Sequence, residues 1–100
     1  MSSRCPKLRI PDEVGSLIRS LHPDLKRKIK AGVQRILDNA ESGKMLKDDL
    51  SGLRSFRVGK FRIIYRNSKA MIEIIALGPR KTIYEETLRL VRTRRGHHED

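Results

Sequence analysis

The first half of the chain carries apolar residues at helical spacing. Residues 7–10 alternate polar and apolar positions, which predicts a short strand. Two sets of apolar residues then follow the 3.6-residue period and predict two helices; they are Val14, Leu17, Ile18 and Leu21, then Leu25, Ile29, Val33, Ile36 and Leu37. His22 precedes Pro23, and a residue before proline is disfavoured in helical backbone, so the first helix ends there. Pro23 and Asp24 suit the first turn of the second helix, which ends within residues 39–43.

After a polar connector (residues 44–52) the apolar period changes to two. Phe56 and Val58 alternate with polar residues, and Gly59 and Lys60 stand where a hairpin turn belongs. Residues 61–66 predict the next strand and residues 67–69 a second turn. Residues 71–77 are apolar except at Glu73, which is typical of an inner strand covered on both faces. Residues 78–79 stop this strand, and residues 82–91 predict a last helix.

The order of predicted elements is β-α-α-β-β-β-α, which is an α+β fold. We expect a small antiparallel β-sheet, a meander plus the N-terminal strand, packed on a helical hairpin, with a C-terminal helix. One hundred residues and 11.6 kDa predict one domain over residues 1–100, with its core at about 7–91 and a polar tail at 92–100. The hairpin covers one face of the sheet. Strand alternation puts Ser55 and Arg57, with either Arg62 or Ile64, on the other, partly open face.

Charge is the strongest compositional signal. The chain has 23 Lys and Arg residues against 12 Asp and Glu residues, a formal net charge of +11 at pH 7. Between Asp49 and Glu73 there is no carboxylate, while six basic residues fall there: Arg54, Arg57, Lys60, Arg62, Arg66 and Lys69. A small domain this basic is typical of proteins that bind polyanions, because phosphates offset its self-repulsion. A solubilising surface excess or a basic tail is the alternative.

Several classes of protein are disfavoured by the same composition. The longest apolar run is four residues, far short of the roughly 20 that span a bilayer, and no secretory signal is recognisable at the N-terminus. Cys5 has no second cysteine to pair with, and three histidines, of which His97 and His98 are adjacent, make a structural zinc site unexpected. We expect a cytoplasmic protein with no membrane association, no metal site and no cofactor.

Two motifs resemble a known family. The segment 57–65 reads Arg-x-Gly-x-aromatic-Arg-apolar-apolar-Tyr, and the segment 78–84 reads Gly-x-Arg-x-x-x-Tyr directly after a hydrophobic strand. With the helical hairpin in front and the basic pair Lys44 and Lys47, these features resemble the RelE/ParE superfamily, the toxins of type II toxin–antitoxin modules. The resemblance spans about residues 7–91, and the fold of that superfamily agrees with the order of elements above.

The resemblance implies a chemistry. Ribosome-dependent members cleave mRNA by driving a 2′-hydroxyl onto the adjacent phosphate without a metal, using basic strand residues, an arginine after the last strand and often a C-terminal tyrosine. Carried over by position, the catalytic residues are Arg57, Arg62, Arg80 and Tyr84. Arginine pairs with phosphate oxygens and stays charged, so it neutralises the transition state but transfers protons poorly. The phenol of Tyr84 is the candidate acid or base.

The neighbouring residues are expected to bind RNA. This set comprises Arg54, Ser55, Lys60, Arg66 and Lys81. Ser55 departs from the family pattern, since RelE-like enzymes often have a basic residue two positions before Arg57. The implied partners are a cognate antitoxin, the ribosome with its mRNA, and operator DNA only through the antitoxin complex.

Three functions stay open at this stage. The first is a RelE-like, ribosome-dependent mRNA endonuclease (an mRNA interferase) that inhibits translation. The second is a ParE-like inhibitor of DNA gyrase without nuclease activity, and the third is an inactive basic module that binds nucleic acid or antitoxin. The pair Arg80 and Tyr84 favours the nuclease, because gyrase-directed members usually lack it, whereas Ser55 weakens that preference.

Overall fold

The structure is a computed structural model that describes residues 7–68 and 70–98, of which 93–98 are described as helix backbone. It contains five strands, three α-helices and one short 3₁₀ turn at Asp48–Leu50. The strands are β1 (Lys7–Arg9), β2 (Lys44–Met45), β3 (Arg54–Val58), β4 (Phe61–Ser68) and β5 (Met71–Pro79). The helices are α1 (Asp12–Ser20), α2 (Pro23–Asp38) and α3 (Arg80–His98).

The five strands form one sheet in the order β1-β5-β4-β3-β2. Strands β3, β4 and β5 make the predicted antiparallel meander, and β2 pairs antiparallel with the first two residues of β3. Strand β1 runs parallel to β5, so the sheet is mixed rather than purely antiparallel. The α+β class, the meander, the hairpin and the C-terminal helix are confirmed.

One face of the sheet packs on the helical hairpin. The residues of this first core include Val14, Ile29, Ile36, Val58, Ile63, Tyr65, Ile72, Ile74 and Leu77. Helix α2 approaches the sheet closely at Gly32, where a Cβ atom would lie 2.8 Å from Val58 Cγ2 and 3.3 Å from Phe56 Cε2. The absence of a side chain at Gly32 therefore sets the distance between α2 and β3.

The other face has a core of its own, which agrees with the prediction that residues 71–77 form an inner strand covered on both faces. Helix α3 covers the centre of this face and buries Ile83 against Leu53, Ile64, Ile75 and Ala76. Further along the helix, Arg92 lies 3.5 Å from Asp49 in an ion pair with the 3₁₀ turn. At the end that carries the β3–β4 hairpin, this second face presents Arg57 and Arg62.

The boundaries of three elements differ from the prediction. Strand β5 continues through Gly78 and Pro79, which pair with Arg62 and Phe61, and β4 extends over two residues that were expected in a turn. Helix α3 begins at Arg80 and runs to His98, whereas the predicted bounds were 82–91, so the helix includes residues 92–98 of the predicted polar tail. Cys5, Lys69 and the side chains of His97 and His98 lie outside the described residues.

The connector before β3 is held by buried polar contacts. The Tyr65 hydroxyl donates to the carbonyl oxygen of Ala40 at 2.6 Å and accepts from the backbone N–H of Gly43 at 2.9 Å. The Arg54 guanidinium donates to the carbonyl oxygen of Gly43 at 2.8 Å. The Tyr65 ring lies where a Cβ on Gly43 would stand, with Tyr65 Oη 2.6 Å from that position. These contacts fix the chain that leads from α2 into β2.

The helix–sheet distance gives a stability prediction with an internal control. Gly32→Ala adds a methyl group where Val58 leaves no room, and overpacking costs about 1–3 kcal/mol, which exceeds the gain of about 1 kcal/mol in helix propensity. We expect a net loss of about 1 kcal/mol in the free energy of unfolding. Gly15→Ala in α1 meets nothing closer than Arg19 at 3.6 Å, so we expect a gain of about 0.5–1 kcal/mol. Urea denaturation measures both, and equal effects of the two substitutions would contradict the close approach.

Candidate functional site

Two arginines stand directly opposite each other on the open end of the second sheet face. Arg57 of β3 and Arg62 of β4 are register partners, and the next residue in this row is Gly78 of β5. Directly opposed side chains on antiparallel strands have Cβ atoms about 5 Å apart, and like charges in that position repel. In the described structure neither arginine forms an ion pair. The row is therefore a concentrated positive charge that an anion would stabilise.

The start of α3 adds positive charge to the same end of the sheet. Arg80 is the first residue of α3, and its backbone N–H donates to the carbonyl oxygen of Lys60 in the β3–β4 hairpin at 2.9 Å. The first turn of α3 contains Arg80 and Lys81 and no acidic residue. The helix dipole places partial positive charge at the N-terminus, so cationic side chains there are destabilising, whereas a bound anion is stabilising. Arg57, Arg62, Arg80, Lys60 and Lys81 thus share one end of the molecule.

Tyr84 lies one row away from the arginine pair, with its hydroxyl held in place. The Tyr84 hydroxyl and the Ser55 hydroxyl are 3.1 Å apart and hydrogen-bonded. Ser55 is two residues before Arg57 on the same face, a distance of about 7 Å along the strand. Ser55 was expected on an exposed surface, but it is only 3% exposed because α3 covers it. Its hydroxyl orients the phenol rather than facing solvent.

Two of the predicted RNA-binding residues lie away from this end. Arg54 is on the face of the helical hairpin, opposite Tyr65, and its guanidinium contacts backbone carbonyl oxygens of the connector. Arg66 lies on the same sheet face as Arg62, further along β4, where it forms an ion pair with Glu73 at 3.8 Å. Glu73 also contacts Arg9 of β1 at 3.5 Å. Arg54 and Arg66 are therefore engaged by other groups.

Two kinds of feature are absent from the described part of the chain. Among the described side chains, those of residues 7–68 and 70–92, no cluster of histidine, cysteine, aspartate or glutamate is arranged to hold a metal ion. No helix in those ranges is long and apolar enough to span a bilayer. The chemistry available at the site is that of guanidinium and ammonium groups, one phenol and one buried hydroxyl.

A comparison with protein families identifies the chain. The sequence profile of the ParE toxin of type II toxin–antitoxin systems (parDE) matches residues 12–84, which runs from the start of α1 to Tyr84. The chain belongs to the ParE toxin family. The match includes both motifs of the candidate site. No curated protein sequence matches the chain.

Solved structures of toxins have the same fold. The toxin–antitoxin complex RelBE2 of Mycobacterium tuberculosis aligns with a TM-score of 0.69 and 20% identity, covering 77% of this chain and 100% of that one. A variant of the Escherichia coli toxin RelE in the free state aligns with a TM-score of 0.70 and 14% identity, covering 91% and 98%. The RelE–RelB complex of Pyrococcus horikoshii gives 0.63 and 22%, covering 77% and 97%. At these identities the likeness establishes the fold of this toxin-family protein.

The bond between Ser55 and Tyr84 had no signal in the sequence. The two residues are 29 positions apart, on a strand and a helix whose packing is set by the second core. Period-two alternation places Ser55 on the correct face, but it does not tell which helix covers that face. The chemical role of Ser55 therefore follows from the tertiary structure alone.

The bond predicts an energetic coupling between Ser55 and Tyr84. Ser55→Ala and Tyr84→Phe each remove the same hydrogen bond, so the double variant is expected to lose less free energy of unfolding than the sum of the single variants. The expected coupling is about 1 kcal/mol, the usual net contribution of one hydrogen bond. Denaturant titration of the four proteins measures it. Additive losses would show that the two hydroxyl groups do not interact.

Proposed function

We propose that this toxin is an mRNA endonuclease that acts on the ribosome and cleaves by attack of the 2′-hydroxyl on the adjacent phosphate. The observation that carries the proposal is the register pairing of Arg57 with Arg62, two like charges directly opposed, of which Arg57 is exposed and Arg62 half-buried. Such a pair is unfavourable unless an anion binds between the side chains. The guanidinium fork fits the oxygens of a phosphate, so a phosphodiester is the ligand that this row suits.

Each site residue has a role in the proposed reaction. Arg57 and Arg62 bind the non-bridging oxygens of the scissile phosphate and neutralise the charge that grows on them. As the bond from the 2′-oxygen to phosphorus forms, the bond to the 5′-oxygen breaks, and the phenol of Tyr84 donates its proton to that leaving oxygen. The 2′-hydroxyl proton passes to water. Arg80 holds the neighbouring phosphate at the start of α3.

The ribosome supplies what these side chains lack in this proposal. Arginines do not accept protons, and the geometry of an internal attack must be imposed on a flexible strand. The cognate antitoxin is the other proposed partner, because the RelE and RelBE2 structures above include complexes with antitoxins. A positive surface of this kind suits an acidic segment that folds on binding.

A second function has one observation in its favour. The matching family profile is that of the ParE toxin, and the resemblance drawn from the sequence connects ParE-like members with inhibition of DNA gyrase. In that case the arginine row binds an acidic surface or DNA phosphates, and no bond is cleaved. Both functions use the same arginines, so only an assay of the reaction separates them.

Loss of either arginine is expected to relieve growth inhibition. Arg57→Ala and Arg62→Ala each remove one phosphate contact, worth about 1.5–3 kcal/mol in the transition state, or roughly a ten- to hundred-fold slower reaction. Regulated expression in growing cells measures the effect, with circular dichroism to show that the fold persists. Arg19→Ala in α1 removes an equal charge on another surface and serves as the control. Undiminished toxicity of both site variants would refute the role of this row.

Two assays on the wild-type toxin separate the two functions. Primer extension on mRNA from cells that express the toxin is expected to reveal new 5′ ends, and Tyr84→Phe is expected to reduce them by removing the proton donor. A supercoiling assay with purified gyrase is expected to show no inhibition. Inhibited gyrase together with intact mRNA would reject the nuclease and establish the second function.

A further inference from the structure

We propose that the groove between α2 and β3 is a second binding surface for single-stranded RNA, which continues from the arginine row and holds the strand beside the scissile phosphate. The inference rests on the proposed function, because it names the path of the same substrate. Its ligand class is a flexible polyanion with bases free to stack. The groove is lined by side chains of α2 on one side and by residues 56–58 of β3 on the other.

Three cations line this groove. Lys28 and Arg35 are exposed on α2 and are seven residues apart, so two helical turns separate them by about 10 Å along the axis. Arg57 lines the groove from the β3 side and also belongs to the arginine row. A strand that leaves the row therefore meets two further cations in succession. Because Lys28 and Arg35 are that far apart, they reach different phosphates.

The acidic residues of α2 do not neutralise these cations. Asp24 accepts from Arg27 at 3.2 Å, and Asp38 accepts from Gln34 at 3.1 Å. Neither carboxylate lines the groove. Within the described ranges, Lys28 and Arg35 form no ion pair. The positive charge of the groove is therefore available to an external anion.

The floor of the groove suits an unpaired strand rather than a duplex. Ala31 and Gly32 separate the two cations of α2, so no bulky side chain blocks the path between them. Phe56 is half-buried at the edge of the groove and offers part of its ring. A positive groove with an aromatic side chain is the usual arrangement for sequence-tolerant binding of single strands. Strand β2 pairs only with Arg54 and Ser55, so in the described structure the outer edge of β3 is uncovered at 56–58.

The test measures how binding depends on the length of RNA and on salt. The probes are fluorescent 2′-O-methyl oligouridylates of about 4 and 12 nucleotides, which lack the attacking hydroxyl and cannot be cleaved. Binding to the full chain is followed by anisotropy between about 50 and 200 mM salt. The variant Lys28→Ala/Arg35→Ala is compared with Arg19→Ala/Lys30→Ala, which removes the same charge from a groove between α1 and α2.

Loss of the two groove cations is expected to affect only the longer probe. About 0.7 counterions are released for each phosphate contact with a single strand, so loss of the two contacts decreases the salt slope for that probe by about 1.4. Between the lowest and the highest salt concentration, the ratio of wild-type to variant affinity then changes roughly seven-fold. The control variant is expected to keep the wild-type slope, and both variants the wild-type affinity for the short probe. Circular dichroism checks that all variants are folded.

Three results would overturn the proposal. The first is an equal loss of slope in the groove and control variants, which indicates a general effect of net charge. The second is a loss on the short probe, which places Lys28 and Arg35 within the arginine row. The third is an unchanged RNA slope together with weaker binding of an acidic polyglutamate peptide, which assigns the groove to a protein partner. Because the probes cannot be cleaved, failure of mRNA cleavage would reject the proposed function without altering this measurement.

Discussion

The central pair of strands is covered on both faces, and this double burial decides where the protein carries its charge. Strand β5 contributes Ile72, Ile74 and Leu77 to the core under the helical hairpin and Ile75 and Ala76 to the core under α3. Desolvating a guanidinium inside either core would cost several kcal/mol. Among the described residues, the basic side chains therefore lie outside both cores, on strand ends, connectors and helix surfaces. Five of them, Arg57, Lys60, Arg62, Arg80 and Lys81, lie at the end of the sheet that carries the β3–β4 hairpin, which concentrates positive charge there.

The arginine row departs from the local preferences that stabilise strand pairs and helix ends. Opposed Arg57 and Arg62 would be stabilised by replacing one of them with a carboxylate or a threonine, and Arg80 would be better placed at the other end of its helix. A departure from local preferences at three neighbouring positions is expected at a binding site and not in a structural surface. Glu73 shows the contrast, since at the other end of the same face a carboxylate stands between Arg9 and Arg66.

Local patterns in the sequence predicted the elements and the face of each strand residue, and tertiary packing determined the rest. Apolar residues that recur every 3.6 positions predicted both helices of the hairpin, and alternation of polar and apolar residues along β3 predicted that Ser55 and Arg57 lie on one face of the sheet. Alternation could not reveal that α3 covers Ser55, because that depends on the close approach at Gly78, where an added Cβ would lie 3.2 Å from Ile83. The end of α3 was missed for a related reason. Arg92 looks like tail sequence, but its ion pair with Asp49 is made by residues distant in the chain.

The arrangement of Tyr84 bears on how the proposed reaction would select its substrate. The phenol is held by the Ser55 hydroxyl at 3.1 Å, one row from the arginine pair, so in the proposed reaction it would reach only a leaving oxygen that is presented in one orientation. Free RNA samples many conformations, and arginines bind its phosphates without selecting among them. A site that binds phosphate strongly but provides one fixed proton donor reacts slowly with an unconstrained strand and faster with one held in line for attack. In the proposed reaction, dependence on a partner that shapes the substrate would thus follow from the small number of acid–base groups in the site.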